Sequence, residues 1–125
     1  MSTANLANKW LDMFAGTAFT APTTVYVKLH TGDPGPSAAL AASANTTRAA
    51  VTWSAASAGS KAMSGTLSWA SWASGTETIS HISIWDASTA GNFLWSGALT
   101  ASKTVNNGDT LQITSLSLSL TPLAA

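Results

Sequence analysis

The chain has 125 residues, five Lys and Arg balancing five Asp and Glu, and only 8% charged residues, against roughly 25% in an ordinary globular domain. That length suits one domain, the zero net charge lacks the basic footprint that neutralises phosphates, and no apolar run reaches the roughly 20 residues that span a bilayer. The absence of Cys excludes disulfides, thiolate metal sites and thiol catalysis.

Residues 1–14 lack the basic segment of a secretory signal, and Lys9 and Asp12 interrupt their apolar residues. They read as a short amphipathic helix. Ser2 or Thr3 can cap it by accepting a backbone N–H. Leu6, Trp10, Met13 and Phe14 fall on one face of a 3.6-residue period. Gly16 stands where a helix ends in positive φ. A helix this short is marginal alone in water, so it must dock on its own sheet or on a neighbour, and its own sheet is the expected partner.

After Gly16 the period becomes 2. In residues 24–31, Val25, Val27 and Leu29 alternate with Tyr26, Lys28 and His30, the pattern of a half-buried strand. Gly32-Asp33-Pro34-Gly35-Pro36 is a dense turn cluster. Residues 37–44 are Ala-rich, a helical turn or a loop. Residues 48–54 alternate again through Ala49, Val51 and Trp53. Residues 58–61 form a turn. Residues 62–70 put Met63, Leu67 and Trp69 on alternate positions of one strand.

Residues 77–85 contain Ile79, then Ile82 and Ile84. That change of parity points to a β-bulge or burial on both faces. Residues 86–92 are a loop, and 93–99 alternate again. Asn107-Gly108 is a hairpin signal, because both residues tolerate positive φ. Leu111 and Ile113 share one parity and Leu116, Leu118 and Leu120 the other, which places a bulge near Thr114-Ser115. Pro122 stops the last strand.

About seven or eight short strands with turns every 8–14 residues make an all-β chain. The expected architecture is a single antiparallel β-sandwich, jelly-roll-like, over residues 17–125, preceded by a helix over 1–16. The Trp residues within strands are expected to pack the core. The competing reading is a stacking platform for sugars at Trp69, Trp72 or Trp95.

The ionisable side chains assemble no convincing chemistry. No G-x-S-x-G elbow accompanies the many serines. Two His without metal-site spacing supply too few zinc ligands. Asp33, Asp86 and Asp109 sit in turns, where aspartate bonds its own backbone, so paired carboxylates for glycoside hydrolysis are not evident. The glycines are spaced as turn punctuation rather than as a phosphate loop. Asn45-Thr46-Thr47 matches a glycosylation sequon, a chance pattern in so Thr-rich a chain. No catalytic, cofactor or metal residue is therefore assigned. Nearly half the chain is Ser, Thr and Ala. A neutral surface favours association, so the outward faces suit a protein packed against copies of itself or another protein.

Several blocks carry a resemblance. Val27-Lys28-Leu29-His30-Thr31-Gly32-Asp33-Pro34-Gly35 is followed by Arg48-Ala49-Ala50-Val51-Thr52-Trp53. His81-Ile82-Ser83-Ile84-Trp85-Asp86-Ala87 follows, then residues 91–99, 103–110 and a terminal L-x-L-x-L-T. In order and spacing, over roughly residues 25–121, they resemble a family of small actinobacteriophage proteins described as tail-fibre-like or virion structural.

The resemblance implies a non-enzymatic component of a tailed-phage virion, made in the bacterial cytoplasm and carried on the particle surface. A fibre needs repeats, a coiled coil or a β-helix. Their absence favours a small decoration protein mounted on the capsid. The alternative is a minor tail or tail-fibre protein touching the host surface, with a carbohydrate-binding role. Expected partners are other copies and the major capsid or tail protein. A host-surface glycan is the further candidate; nucleic acid and membrane are not expected. The candidate interface comprises Leu6, Trp10, Met13, Phe14, Tyr26, His30, Asp33, Pro34 and Pro36.

Overall fold

The computed structural model describes residues 3–120. The expected roles of Ser2 and Pro122 lie outside the described residues. One helix, α1 (Ala4–Phe14), precedes eight strands: β1 (Val25–His30), β2 (Ala49–Trp53), β3 (Ser60–Ser64), β4 (Leu67–Trp69), β5 (Glu77–Trp85), β6 (Phe93–Val105), β7 (Leu111–Ile113) and β8 (Ser117–Ser119). Every strand pair is antiparallel. A six-stranded sheet runs β6-β5-β1-β2-β3-β8, and β4-β7 form a small second sheet. The sandwich-like all-β architecture is as expected.

The core lies between the sheets. Val27 and Leu29 of β1, Val51 of β2 and Ile79, Ile82 and Ile84 of β5 cluster with Leu67, Trp69, Leu111 and Ile113 of the small sheet. Alternation in β1 and β2 produces this directly, because side chains of equal parity share a face.

Residues 62–70 make two strands rather than one. Gly65 takes φ +84°, a conformation no regular strand uses. There the chain leaves the large sheet, and β4 enters the small one. A second break follows the same logic. The parity change at residues 114–116 separates β7 from β8, which belong to different sheets. It is a crossing between sheets, not a bulge.

The Asn106–Asp109 turn forms, with the Asp109 N–H donating to the Asn106 carbonyl at 3.0 Å. It joins β6 to β7 across the sheets instead of closing a hairpin. Its anchor is Trp72, whose N–H donates to the Asp109 carbonyl at 2.9 Å and whose carbonyl accepts from Gly108 at 2.8 Å. The parity change in β5 coincides with a true register shift: Ile79 pairs with Lys103 and His81 with Ala98. Both faces of β5 are also buried, since Ser83 is enclosed opposite the Ile side chains.

α1 is built as expected at its ends. Thr3 Oγ1 accepts from the Leu6 N–H at 3.3 Å. Gly16 at φ +79° lets its N–H reach the Met13 carbonyl and that of Thr17 reach Asp12, both at 3.1 Å, the Schellman closure of a helix. Its docking differs from expectation. No residue of α1 is buried. Leu6 and Trp10 are half-buried, while Met13 and Phe14 point to solvent.

Candidate functional site

The outer face of β1 and β5 carries the polar chemistry. Register places Tyr26 opposite Trp85, Lys28 opposite Ser83 and His30 opposite His81. The segment after β1 folds back over this face and encloses His30 completely. His30 Nδ1 lies 3.0 Å from the Leu40 carbonyl, and Nε2 lies 2.7 Å from Ser83 Oγ. Trp85 Nε1 donates to the same Ser83 oxygen at 2.8 Å.

A carbonyl only accepts, so Nδ1 carries the proton, and the Ser83 hydroxyl donates to a neutral Nε2. Burial, together with the nearby Lys28 and His81 charges, outweighs the Leu40 hydrogen bond and holds the His30 pKa below its ordinary value. His30 and Ser83 resemble two members of a hydrolytic triad in type only. The position a carboxylate would take is held by a backbone carbonyl, and both side chains are sealed from solvent.

Other side chains fasten the covering loops. Glu77 accepts from Ser43 Oγ at 2.6 Å and from the Ala44 N–H at 2.9 Å. Arg48 stacks 4.0 Å over the Trp85 ring and donates to the Ala87 and Ala90 carbonyls, each at 2.7 Å. Asp86 accepts from Asn92 through both its backbone and side-chain nitrogens. Burial alone raises the Asp86 pKa, but the Asn92 donors prevail and lower it. Asp33 Oδ1 accepts from the Gly35 N–H at 2.9 Å, the expected turn role of aspartate. No cluster of three or more metal-ligating side chains occurs among the described residues.

Five of the nine predicted interface residues line two hollows, and Met13, Phe14 and His30 lie outside both. The first, about 520 Å³, brings Thr3 and Ala4 at the start of α1 to Asp33, Pro34 and Pro36, above His81 and Phe93. The second, about 480 Å³, is an apolar groove at one end of the sandwich, lined by Leu6, Trp10, Trp53, Trp95, Leu118 and Leu120. Tyr26 is half-buried and lines neither.

Three expectations need correction. His30 is not a surface contact, because it is the fully enclosed partner of Ser83. Pro34 is buried beneath its own turn and presents little to a partner. The glycan platform fails at Trp69 and Trp72, which are 3% and 1% exposed. Each indole nitrogen is also spent, on the Thr47 and Gly75 carbonyls, both at 2.9 Å. Trp95 remains partly accessible, as a wall of the apolar groove.

Leu11 lies outside the face of Leu6, Trp10, Met13 and Phe14 and is 65% exposed. At 100° per residue it widens the apolar stripe beyond Phe14, a signal available in the sequence. Trp53 and Leu118 read as strand residues from their alternation, but that they wall a groove depends on the curl of the sheet.

Residues 1–121 match the family described as podophage GP4 fiber I protein gp80. The chain belongs to this gp80 fibre family. No curated protein matches it. Membership makes the chain a phage structural protein and a virion component of fibre type. Of the two placements drawn from the sequence, the family favours the fibre alternative; it lends no specific support to capsid decoration. No helix among the described residues is long and apolar enough to cross a membrane.

Proposed function

We propose that this gp80-family chain is a small non-enzymatic subunit of a tailed-phage fibre, held in the particle through α1 and the apolar groove beside it. The family match carries the reading, because it spans the helix as well as the β-body. The surface supports it: three of the five exposed large apolar side chains among the described residues, Leu11, Met13 and Phe14, lie on α1, and Glu77, Arg48 and Asp86 are engaged in fastening loops. Its partners are other copies and a larger tail protein.

The test is immunogold labelling of particles that carry an epitope-tagged chain. Label on the fibre supports the proposal. Label confined to the head replaces it with the decoration reading. A chain lacking residues 1–15 should keep its β circular dichroism and fail to enter particles. Normal incorporation of that truncation removes α1 from the attachment.

A further inference from the structure

The six Trp residues fall into two sets. Trp69, Trp72 and Trp85 each give their indole N–H to an acceptor of this chain: the Thr47 carbonyl at 2.9 Å, the Gly75 carbonyl at 2.9 Å and Ser83 Oγ at 2.8 Å. The indole N–H groups of Trp10, Trp53 and Trp95 have no partner among the described residues. All three rings are half-buried, yet no sealed side-chain nitrogen is left unpartnered among the described residues, so these N–H groups reach water. Trp10, Trp53 and Trp95 all line the apolar groove of about 480 Å³, and none of the first set does. A Trp N–H ordinarily finds a partner within its own protein as the ring is buried. Here three unpaired donors are gathered around one hollow.

The lining defines what the groove can take. An indole N–H donates and never accepts. Among the described residues, no carboxylate, carboxamide or imidazole lines the groove. Its cation, Lys61, donates to the Ser54 carbonyl at 2.9 Å, and Ser60 Oγ is engaged with Ser117 and Leu118. The matching ligand therefore offers apolar surface and acceptors, but few donors. A saccharide hydroxyl brings a donor with every acceptor, and those donors would lie unpaired against indole and leucine. An incoming α-helix has its carbonyls bonded internally, and an acyl chain has no acceptor. Proline carries a carbonyl and no N–H, on an apolar ring.

We infer that the groove binds a proline-rich segment of a partner virion protein in the polyproline II form, with the Trp10, Trp53 and Trp95 N–H groups donating to its carbonyls. That form has no internal hydrogen bonds, so its carbonyls are free, and its fixed backbone loses little entropy on docking. Trp10 belongs to α1, Trp53 to β2 and Trp95 to β6, so the bound segment ties the helix to the sheet.

The inference rests on the reading that the groove is an attachment surface, and it names the partner. It is measured on the purified chain and that reading on particles, so the two failures are distinguishable. Isotope-labelled full-length protein is titrated with a capped oligoproline peptide, with a Gly-Ser peptide of equal length and with a chito-oligosaccharide, while the indole N–H resonances are followed. Oligoproline should move the Trp10, Trp53 and Trp95 signals and leave those of Trp69, Trp72 and Trp85 in place. Trp95→Phe keeps an aromatic wall and removes one donor; it should weaken oligoproline binding about three- to tenfold, the worth of one hydrogen bond. Leu120→Asp, at a lip position that is 55% exposed, should also weaken it, with an unchanged urea midpoint. A groove that ignores oligoproline overturns the inference, as does an equal response to the Gly-Ser peptide. A response to the saccharide as large as that to oligoproline overturns it in favour of a glycan site. Binding that survives both substitutions unweakened overturns it too.

Discussion

Ser83 Oγ and His30 Nε2, 53 positions apart in the chain, lie 2.7 Å from each other on the covered face of the large sheet. The same oxygen receives Trp85 Nε1–H. One hydroxyl therefore satisfies two rings. Ser83→Ala leaves His30 Nε2 enclosed without a donor. An unsatisfied buried acceptor costs about 1–3 kcal/mol. Urea unfolding should show that loss, while Ser68→Ala on an exposed position stays within about 0.5 kcal/mol.

His30 also makes stability depend on pH. Its folded pKa lies below its unfolded value of 6.5, so the unfolded chain binds the proton more readily. Stability is then full above the unfolded pKa. It falls as pH drops through that value towards the depressed folded one, and levels off below it. Denaturant midpoints taken between mildly alkaline and mildly acidic pH should decline in that window. His30→Gln should flatten the decline.

Trp72 joins the 71–76 loop to the Asn106–Asp109 turn from within the core. It is 1% exposed. Trp72→Ala leaves a large cavity and removes the indole bond to the Gly75 carbonyl, while the backbone bonds to the turn remain, a loss of about 3–5 kcal/mol. Set against a typical domain stability of about 5–15 kcal/mol, this should leave the chain marginally folded. A thermal melt followed by circular dichroism measures the effect. Trp72→Phe should recover most of it, lacking only the bond to the Gly75 carbonyl.

Arg48 holds the loop between β5 and β6 by stacking on Trp85 while donating to Ala87 and Ala90. Lysine keeps the charge but lacks the planar guanidinium that stacks on the ring. Arg48→Lys should cost about 1 kcal/mol, in the range of a partly exposed cation–π contact. Hydrogen exchange should quicken over residues 86–92, with the core strands unchanged.

The strands were legible wherever one face is buried and the other is not. β1 and β2 show this in their unbroken alternation. α1 was legible in its stripe, its Thr3 cap and its Gly16 stop. Less of the candidate site could be read. Residues 30–36 looked like a surface block because Pro, Gly and Asp mark a turn. Turn chemistry does not reveal that the following segment folds back and seals His30 and Pro34. Trp69 and Trp72 looked available because they stand on opposite parities of an extended segment. The chain turns between them, and both rings enter the core.

By itself, the sequence determined the class of the protein: a neutral, Cys-free, antiparallel β-domain behind an amphipathic helix. Those features are local or compositional, and alternation, caps and charge counts report them directly. The tertiary structure decided which sheet each strand joins, at Gly65 and at the Thr114–Leu116 break. It also decided which aromatics are sealed and which line the groove. Such choices rest on contacts between residues distant in the chain. The low charge of the whole sequence thereby acquires a location, since most of the large apolar side chains it leaves uncovered lie on the outer half of α1 and the lip of the groove beside it.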